Sequence, residues 1–382
     1  MYSISGYGSM IADKGRMEAY SKALAQAMKP DSVVLDIGTG TGIFAMIACQ
    51  LGAKKVYAIE PSNAIQVAKE IAAANGFSDR IQFFQKLSTQ VELPEKADII
   101  ISDLRGILPL LENHIPSIID ARERLLKPDG VLIPQCDRLW VAVVELPNLY
   151  GHLVNPWDEN GYSLNMVAAR QLVTNTWLKG RVTPEQLLGE PQCWATLDYT
   201  TIKNTDVRAE ITWTVEQTRT AHGLSIWFDT TLAEGVSFSN APDKPELIYG
   251  SGFFPWLQPV NLAVGDRVSV VLQAILVGGN YIWCWNTVVF SQGNPKQVKA
   301  NFKQSSFWGI PLSPTQLCKK THNYVPRLSQ EGKIDKFILE LMSEGEALGG
   351  IARQLVAQFP SYFINEQEAL TRVGELSQRY SE

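Results

Sequence analysis

Histidine and cysteine are scarce in this chain of 382 residues, with four of the first and five of the second. His114, His152, His222 and His322 show no metal-ligand spacing, and Cys49, Cys136, Cys193, Cys284 and Cys318 are scattered without a C-x-x-C pair. Neither a zinc site nor a disulfide framework is expected, and no metal is assigned. No run of about 18 apolar residues occurs, so no membrane-spanning helix is expected. The opening M-Y-S-I-S-G-Y-G-S-M lacks the charged-then-apolar pattern of a signal peptide, and a cytoplasmic protein is the expectation. No long Lys/Arg run appears and the net charge is -5, which argues against nucleic acid as a partner. Internal repeats and low-complexity tracts are also missing.

Apolar material is plentiful, at 45% hydrophobic against 19% charged residues, and the length suits two or three domains. Strand-like runs at 33–37, 55–59, 81–85, 97–102 and 131–134 alternate with helical patterns at 13–28, 43–50, 65–74 and 115–126. That alternation predicts a parallel sheet with helices on its faces. Beyond residue 137 the pattern becomes antiparallel β, as in I-T-W-T-V (211–215), L-S-I-W-F (224–228) and V-S-V-V-L (268–272). Trp283 and Trp285 alternate around Cys284 in a way that suits core packing. From residue 301 three amphipathic helices follow, at 334–342, 348–359 and 366–380.

The segment V-V-L-D-I-G-T-G-T-G-I-F (33–44) joins an apolar strand ending in Asp36 to a turn through Gly38, Gly40 and Gly42 and then to a helix. Glycines permit positive φ and a close backbone approach to a ligand. The third glycine comes one residue earlier than in the dinucleotide fingerprint. The next strand ends in Glu60, where a ribose diol would find an acceptor. These features suit S-adenosylmethionine better than NAD, although a plain strand-turn-helix would use the same glycines.

That segment, with G-A-K-K-V-Y-A-I-E (52–60) and L-P-E-K-A-D-I-I-I-S-D (93–103), resembles the class I methyltransferases and is particularly similar to the protein arginine methyltransferases. The similarity extends to M-I-A-D-K-G-R-M-E-A-Y (10–20) and to W-D-E-N-G-Y-S-L-N-M (157–166), which looks like the family's dimerisation arm. It covers about residues 1–290. The fold it implies is a Rossmann-like α/β methyltransferase domain (1–136) and an antiparallel β-barrel or sandwich domain (137–300) with its arm near 150–185. A small helical domain (301–382) would follow, its apolar spacing weakly resembling winged-helix modules that recognise peptides. A plain helical cap or an oligomer contact is the first expectation there, ahead of a peptide-binding module.

Carried over residue by residue, the resemblance assigns S-adenosyl-L-methionine to Arg16, Asp36, Gly38, Gly40, Gly42, Glu60 and Thr89. Arg16 would bind the cofactor carboxylate, and Thr89 stands where the family has an acid beside the adenine. The segment S-D-L-R-G-I-L-P-L-L-E (102–112) stands where the family clamps a substrate guanidinium between two acids. Asp103, one methylene shorter than its counterpart, and Glu112 are the expected catalytic pair. A guanidinium carries five donors in a planar fork, and two carboxylates can bind it bidentately. Asp103 as a turn residue and Glu112 as a helix-terminal acid is the competing explanation.

The family's T-H-W motif becomes Leu247-Ile248-Tyr249, without histidine, and its partner acid maps onto Asp13. Its N-terminal Y-F-x-x-Y is reduced to Tyr2 and Tyr7. Tyr7 and Tyr249 remain as substrate-binding candidates. The implied activity is methyl transfer to a side-chain nitrogen of a protein or peptide, by a homodimer. A small-molecule methyltransferase or a catalytically weak scaffold protein are the alternatives.

Overall fold

The computed structural model describes residues 3–159, 162–292 and 297–381. It contains two compact units, Met1–Pro311 and Leu312–Glu382.

The first unit begins with helices α1 (Ile4–Ala12) and α2 (Lys14–Ala27). Strands β1 (Val33–Ile37), β2 (Lys55–Ile59), β3 (Ile81–Phe84), β4 (Ala97–Ser102) and β5 (Leu126–Ile133) follow, interleaved with α3 (Ile43–Gln50), α4 (Ala64–Ala74) and α5 (His114–Arg124). The five strands pair in parallel in the order β3-β2-β1-β4-β5. β1 is buried along its whole length, as expected for a strand covered on both faces.

Two elements differ from expectation. α1 has no core-facing apolar stripe, and Gly6 and Gly8 lower its helix propensity, so periodicity does not reveal it. β5 starts at Leu126 and runs through K-P-D-G instead of beginning at Val131, with an irregular register opposite β4 that accommodates the extra residues.

Residues from Cys136 onward form two antiparallel sheets. One contains Cys136–Val144, Leu178–Gly180, Gln192–Asp198, Arg219–Ala233, Val236–Ser239 and Ser251–Leu262. The other contains Val207–Thr214, Arg267–Val277, Asn280–Phe290 and Val298–Phe302. Trp256, Trp283 and Trp285 are fully buried, and Phe254 packs edge-on against Trp285 at 5.3 Å. The arm region carries helices Pro147–Asp158 and Val167–Val173; Asn160 and Gly161 of its motif lie outside the described residues.

The boundary expected at 300/301 falls at Pro311/Leu312. Residues 301–311 stay with the first unit because Val298–Phe302 is an edge strand there and Gln304 Nε2 donates to the carbonyls of Thr174 (2.6 Å) and Pro255 (2.9 Å).

The second unit packs helices Gln330–Ser343, Leu348–Gln358 and Glu366–Tyr380 around Ile334, Ile338, Ile351, Leu355 and Val373. Ser329 and Asn365 cap the first and third of these helices. No strand, the element a wing requires, occurs among its described residues.

Candidate active site

Sheet register decides which residues meet. Ile37 of β1 pairs with Ile59 of β2 and with Ser102 of β4. The residue after each strand end, Gly38, Glu60 and Asp103, therefore stands in one row at the carboxyl edge. This row lies where the strand order reverses, the place at which open parallel sheets bind ligands. A cavity of about 530 Å3 opens there, and its lining includes Tyr7, Arg16, Gly38, Glu60, Asp103 and Glu112. Its size is that of a small-molecule site.

The glycine turn is held by the two acids that flank it. Gly38, Gly40 and Gly42 have φ of 71°, 54° and 88°, which side chains with a Cβ rarely adopt. Gly38 and Thr39 donate N–H to the Ile59 carbonyl at 2.9 and 3.0 Å. Glu60 bridges the turn to β2, accepting from the Gly40 N–H (3.1 Å) and the Ser62 N–H (2.9 Å). Asp36 accepts the Thr39 hydroxyl at 2.5 Å and the Ala45 N–H at 3.1 Å. Ala45 lies in the first turn of α3, whose cap position is Gly42, so Asp36 supplies from the strand the cap that glycine cannot.

Asp36 is 1% exposed and lies beneath the turn, away from the cavity wall. Burial raises its carboxyl from 3.8 to about 7, against the pull of its Thr39 and Ala45 bonds. A folded-state pKa above the unfolded value means that the native state holds the extra proton. The contribution is full below about pH 4 and is lost as pH rises through about 7. Asp36→Asn removes the charge and keeps an acceptor. Its stability relative to wild type is expected to improve steadily from pH 4 to pH 7 in urea unfolding; a constant difference across that range would contradict the buried-carboxyl assignment.

The Asp103 side chain is 6% exposed and fully engaged. Its Oδ2 accepts from Arg16 Nε (2.6 Å) and from the Tyr249 hydroxyl (2.7 Å), and its Oδ1 from Arg105 Nε (3.2 Å). Burial alone would raise this carboxyl, but the charges of Arg16 and Arg105 outweigh it and hold it below the ordinary value. Arg16 is likewise kept charged, since Asp103 and the neighbouring phenols overcome the cost of burial. Glu112 lines the same cavity but is exposed, with a positive φ of 42°, at the far end of the loop.

The remaining expected residues are distributed around this centre. The Tyr7 ring lies over Gly40, where a Cβ would collide with it. Gly42 packs against Met46 and Ala68. Tyr249 is buried behind Asp103, and Thr89 is exposed in the turn Ser88–Gln90, away from the cavity lining. Tyr2 lies outside the described residues. Asp13 caps α2 through the Arg16 N–H (3.1 Å) and accepts the backbone N–H of Ile248 at 2.7 Å. A main-chain donor thus joins Asp13 to the segment in which histidine is missing.

Arg105 was not anticipated. Its side chain is fully buried, with Nη1 donating to Asp137 (2.8 Å) and Thr230 (2.5 Å), Nη2 to the Tyr20 hydroxyl, and Nε to Asp103. Tyr199 donates to the other oxygen of Asp137 at 2.5 Å. The only sequence signal was a basic residue in an apolar loop beside Asp103.

Comparison with known proteins agrees with this arrangement. The family described as Ribosomal protein L11 methyltransferase (PrmA) matches residues 19–135, and the Arginine methyltransferase oligomerization subdomain matches residues 136–273. The chain is 33% identical over 252 residues to Probable protein arginine N-methyltransferase 6 of Arabidopsis thaliana, covering 64% of this chain and 58% of that one. It is 33% identical over 297 residues to Protein arginine N-methyltransferase PRMT10 of Oryza sativa subsp. japonica, covering 68% of this chain and 78% of the relative. The solved Trypanosoma brucei PRMT1 enzyme-prozyme heterotetrameric complex with AdoHcy superposes with a TM-score of 0.70 at 25% identity, over 78% of this chain and 96% of the other. In sequence and fold, the chain belongs to the protein arginine N-methyltransferase family.

Proposed function

We propose that this chain is an S-adenosylmethionine-dependent methyltransferase whose acceptor is a side-chain nitrogen of a protein or peptide. The row Gly38–Glu60–Asp103 at the reversal of the sheet, with Arg16 beside it, is the observation that carries this reading. The donor set fits the cofactor: a guanidinium for its carboxylate, a glutamate for its ribose diol, and a turn with glycine at three of its five positions for close approach. When bound, the cofactor supplies a methyl group activated by a positively charged sulfur.

Arg16 binds the cofactor carboxylate, and Asp103 positions Arg16. Glu60 accepts from the ribose while fixing the turn. Tyr7 covers the turn from above. Glu112, the exposed acid, orients the acceptor nitrogen. Holding two reactants in attack geometry is the largest contribution expected of such a site.

Titration with S-adenosylmethionine, followed by transfer of its labelled methyl group to a cell extract, tests the proposal. Saturable binding and label in polypeptides are expected; binding without transfer would reject catalysis. Glu60→Ala is expected to weaken cofactor affinity about 10- to 100-fold, the loss of hydrogen bonds to a charged acceptor. Unchanged affinity would remove Glu60 from the cofactor site.

We also propose a homodimer and a cytoplasmic location. The match to the oligomerization subdomain supports the dimer, as does the arm, where Tyr162, Leu164 and Val167 are 83%, 61% and 51% exposed. A monomeric mass by light scattering would reject the dimer, and recovery in a membrane fraction would reject the location.

A further inference from the structure

We infer that Arg327 is itself a methyl acceptor, so that this chain is a substrate for a second copy of itself. The inference rests on the proposed transfer to polypeptides and names one acceptor for that same site.

An acceptor arginine has to leave its own surface, lie in an extended stretch of chain and carry its guanidinium into the cavity of the enzyme. A side chain that is already paired, or a backbone held in a helix or strand, opposes this, because existing hydrogen bonds must break first. Most arginines of this protein fail on those grounds. Arg16 and Arg105 are buried. Arg138, Arg208 and Arg267 lie within strands, and Arg353 and Arg379 within helices. The remainder, Arg327 apart, are hydrogen-bonded or ion-paired through their guanidinium groups. Among the described residues, Arg327 is the arginine that is exposed, outside helix and strand, and without a hydrogen bond or ion pair.

The surroundings of Arg327 suit an acceptor. Residues 311–330 are exposed without interruption, and 324–329 belong to no helix or strand. Pro326 biases Val325 towards extended backbone. Val325 and Leu328, on either side of the Pro-Arg pair, are 80% and 58% exposed, and the cavity wall offers Ile11, Leu104 and Leu111 to apolar side chains. Charge favours the same encounter. Lys319, Lys320 and Arg327 are the charged residues between Leu312 and Gln330, so the segment is basic in a chain whose net charge is -5. Glu112, exposed on the cavity wall of another copy, attracts the segment and can take the planar fork bidentately. In the transfer, a guanidinium nitrogen of Arg327 forms the bond to the methyl carbon while the carbon–sulfur bond breaks and its electron pair stays on sulfur. The nitrogen gives up one proton to solvent. The products are a methylated guanidinium, still charged, and adenosylhomocysteine.

Three measurements test the inference. In the first, the full-length protein is incubated with labelled S-adenosylmethionine, alone and with a cell extract, and mass spectrometry locates the label after digestion. Label on Arg327 is expected in the protein alone. Label only at other positions of the chain, or on extract polypeptides with none on the protein, overturns the inference while leaving polypeptide methylation intact. Label in no polypeptide rejects the underlying function, and this inference with it. In the second, Arg327→Lys keeps the charge and removes the fork. The variant is expected to lose at least tenfold in self-labelling and to methylate extract polypeptides at the wild-type rate; a smaller loss overturns the inference. The third is a binding measurement that needs no turnover. A synthetic peptide of residues 319–331 is titrated into the protein saturated with adenosylhomocysteine, standing for the segment of a second copy. It is expected to bind saturably and at least tenfold more tightly than the same peptide carrying Arg327→Ala. Equal affinities, or no binding, overturn presentation of Arg327 to another copy.

Discussion

Glu112→Gln is expected to lower turnover about 100-fold or more while leaving the affinity for adenosylhomocysteine unchanged. Glu112 is exposed on the cavity wall, whereas the groups assigned to the cofactor are Arg16 in the first turn of α2 and Glu60 at the end of β2. The substitution keeps shape and hydrogen-bonding capacity and removes only the charge, so the loss reports the charge itself. Because Asp103 is neutralised by Arg16 and Arg105, no second acid compensates. Single-turnover rates, compared with cofactor titrations of the same samples, check this. Turnover within twofold of wild type would take Glu112 out of the reaction and return it to the role of a surface acid near a helix start.

The largest stability effect is expected from Arg105→Met, about 3–5 kcal/mol, because breaking a buried pair leaves an uncompensated charge. Asp137 is 0% exposed and would keep only the Tyr199 and Thr230 hydroxyls. Adding Asp137→Asn is expected to recover part of the loss, since replacing both partners costs less than stranding one. Urea unfolding of wild type, both single variants and the double variant forms the cycle that measures the coupling. Additive losses would show that Arg105 and Asp137 do not act as a pair. Stability then bears on the site directly: Arg105, held by Asp137, belongs to the loop between β4 and Glu112 and lines the cavity.

Several elements were legible because their signals are local. Asp36, the three glycines and Glu60 lie within 25 residues of one another, and their turn geometry depends on positive φ and on a strand that ends in an acid. Asp13 and Arg16 belong to one cap, readable as a helix start. Trp283 and Trp285 are buried as their alternation in the strand implied. The Asp36 side chain is a different matter. Its location at a strand end was readable, but whether it faces the ligand or the helix behind it depends on the packing of α3, and here it caps Ala45. Similarly, Asp103 and Glu112 share a loop, and spacing alone cannot say which of them a distant cation reaches.

The amino-acid sequence by itself determined the alternating α/β core, the glycine turn, the antiparallel region that follows and the terminal helices. Each of these arises from periodicity, caps and turn residues acting over a few positions. Only the tertiary structure decided the electrostatic state of the site. Arg16 reaches Asp103 across 87 positions, Tyr249 reaches it across 146, and Arg105 meets Thr230 across 125. Those contacts form because one antiparallel sheet supplies Asp137 and Thr230, and the turn before its strand Ser251–Leu262 supplies Tyr249, in an interior where a charge is tolerated only if it is paired.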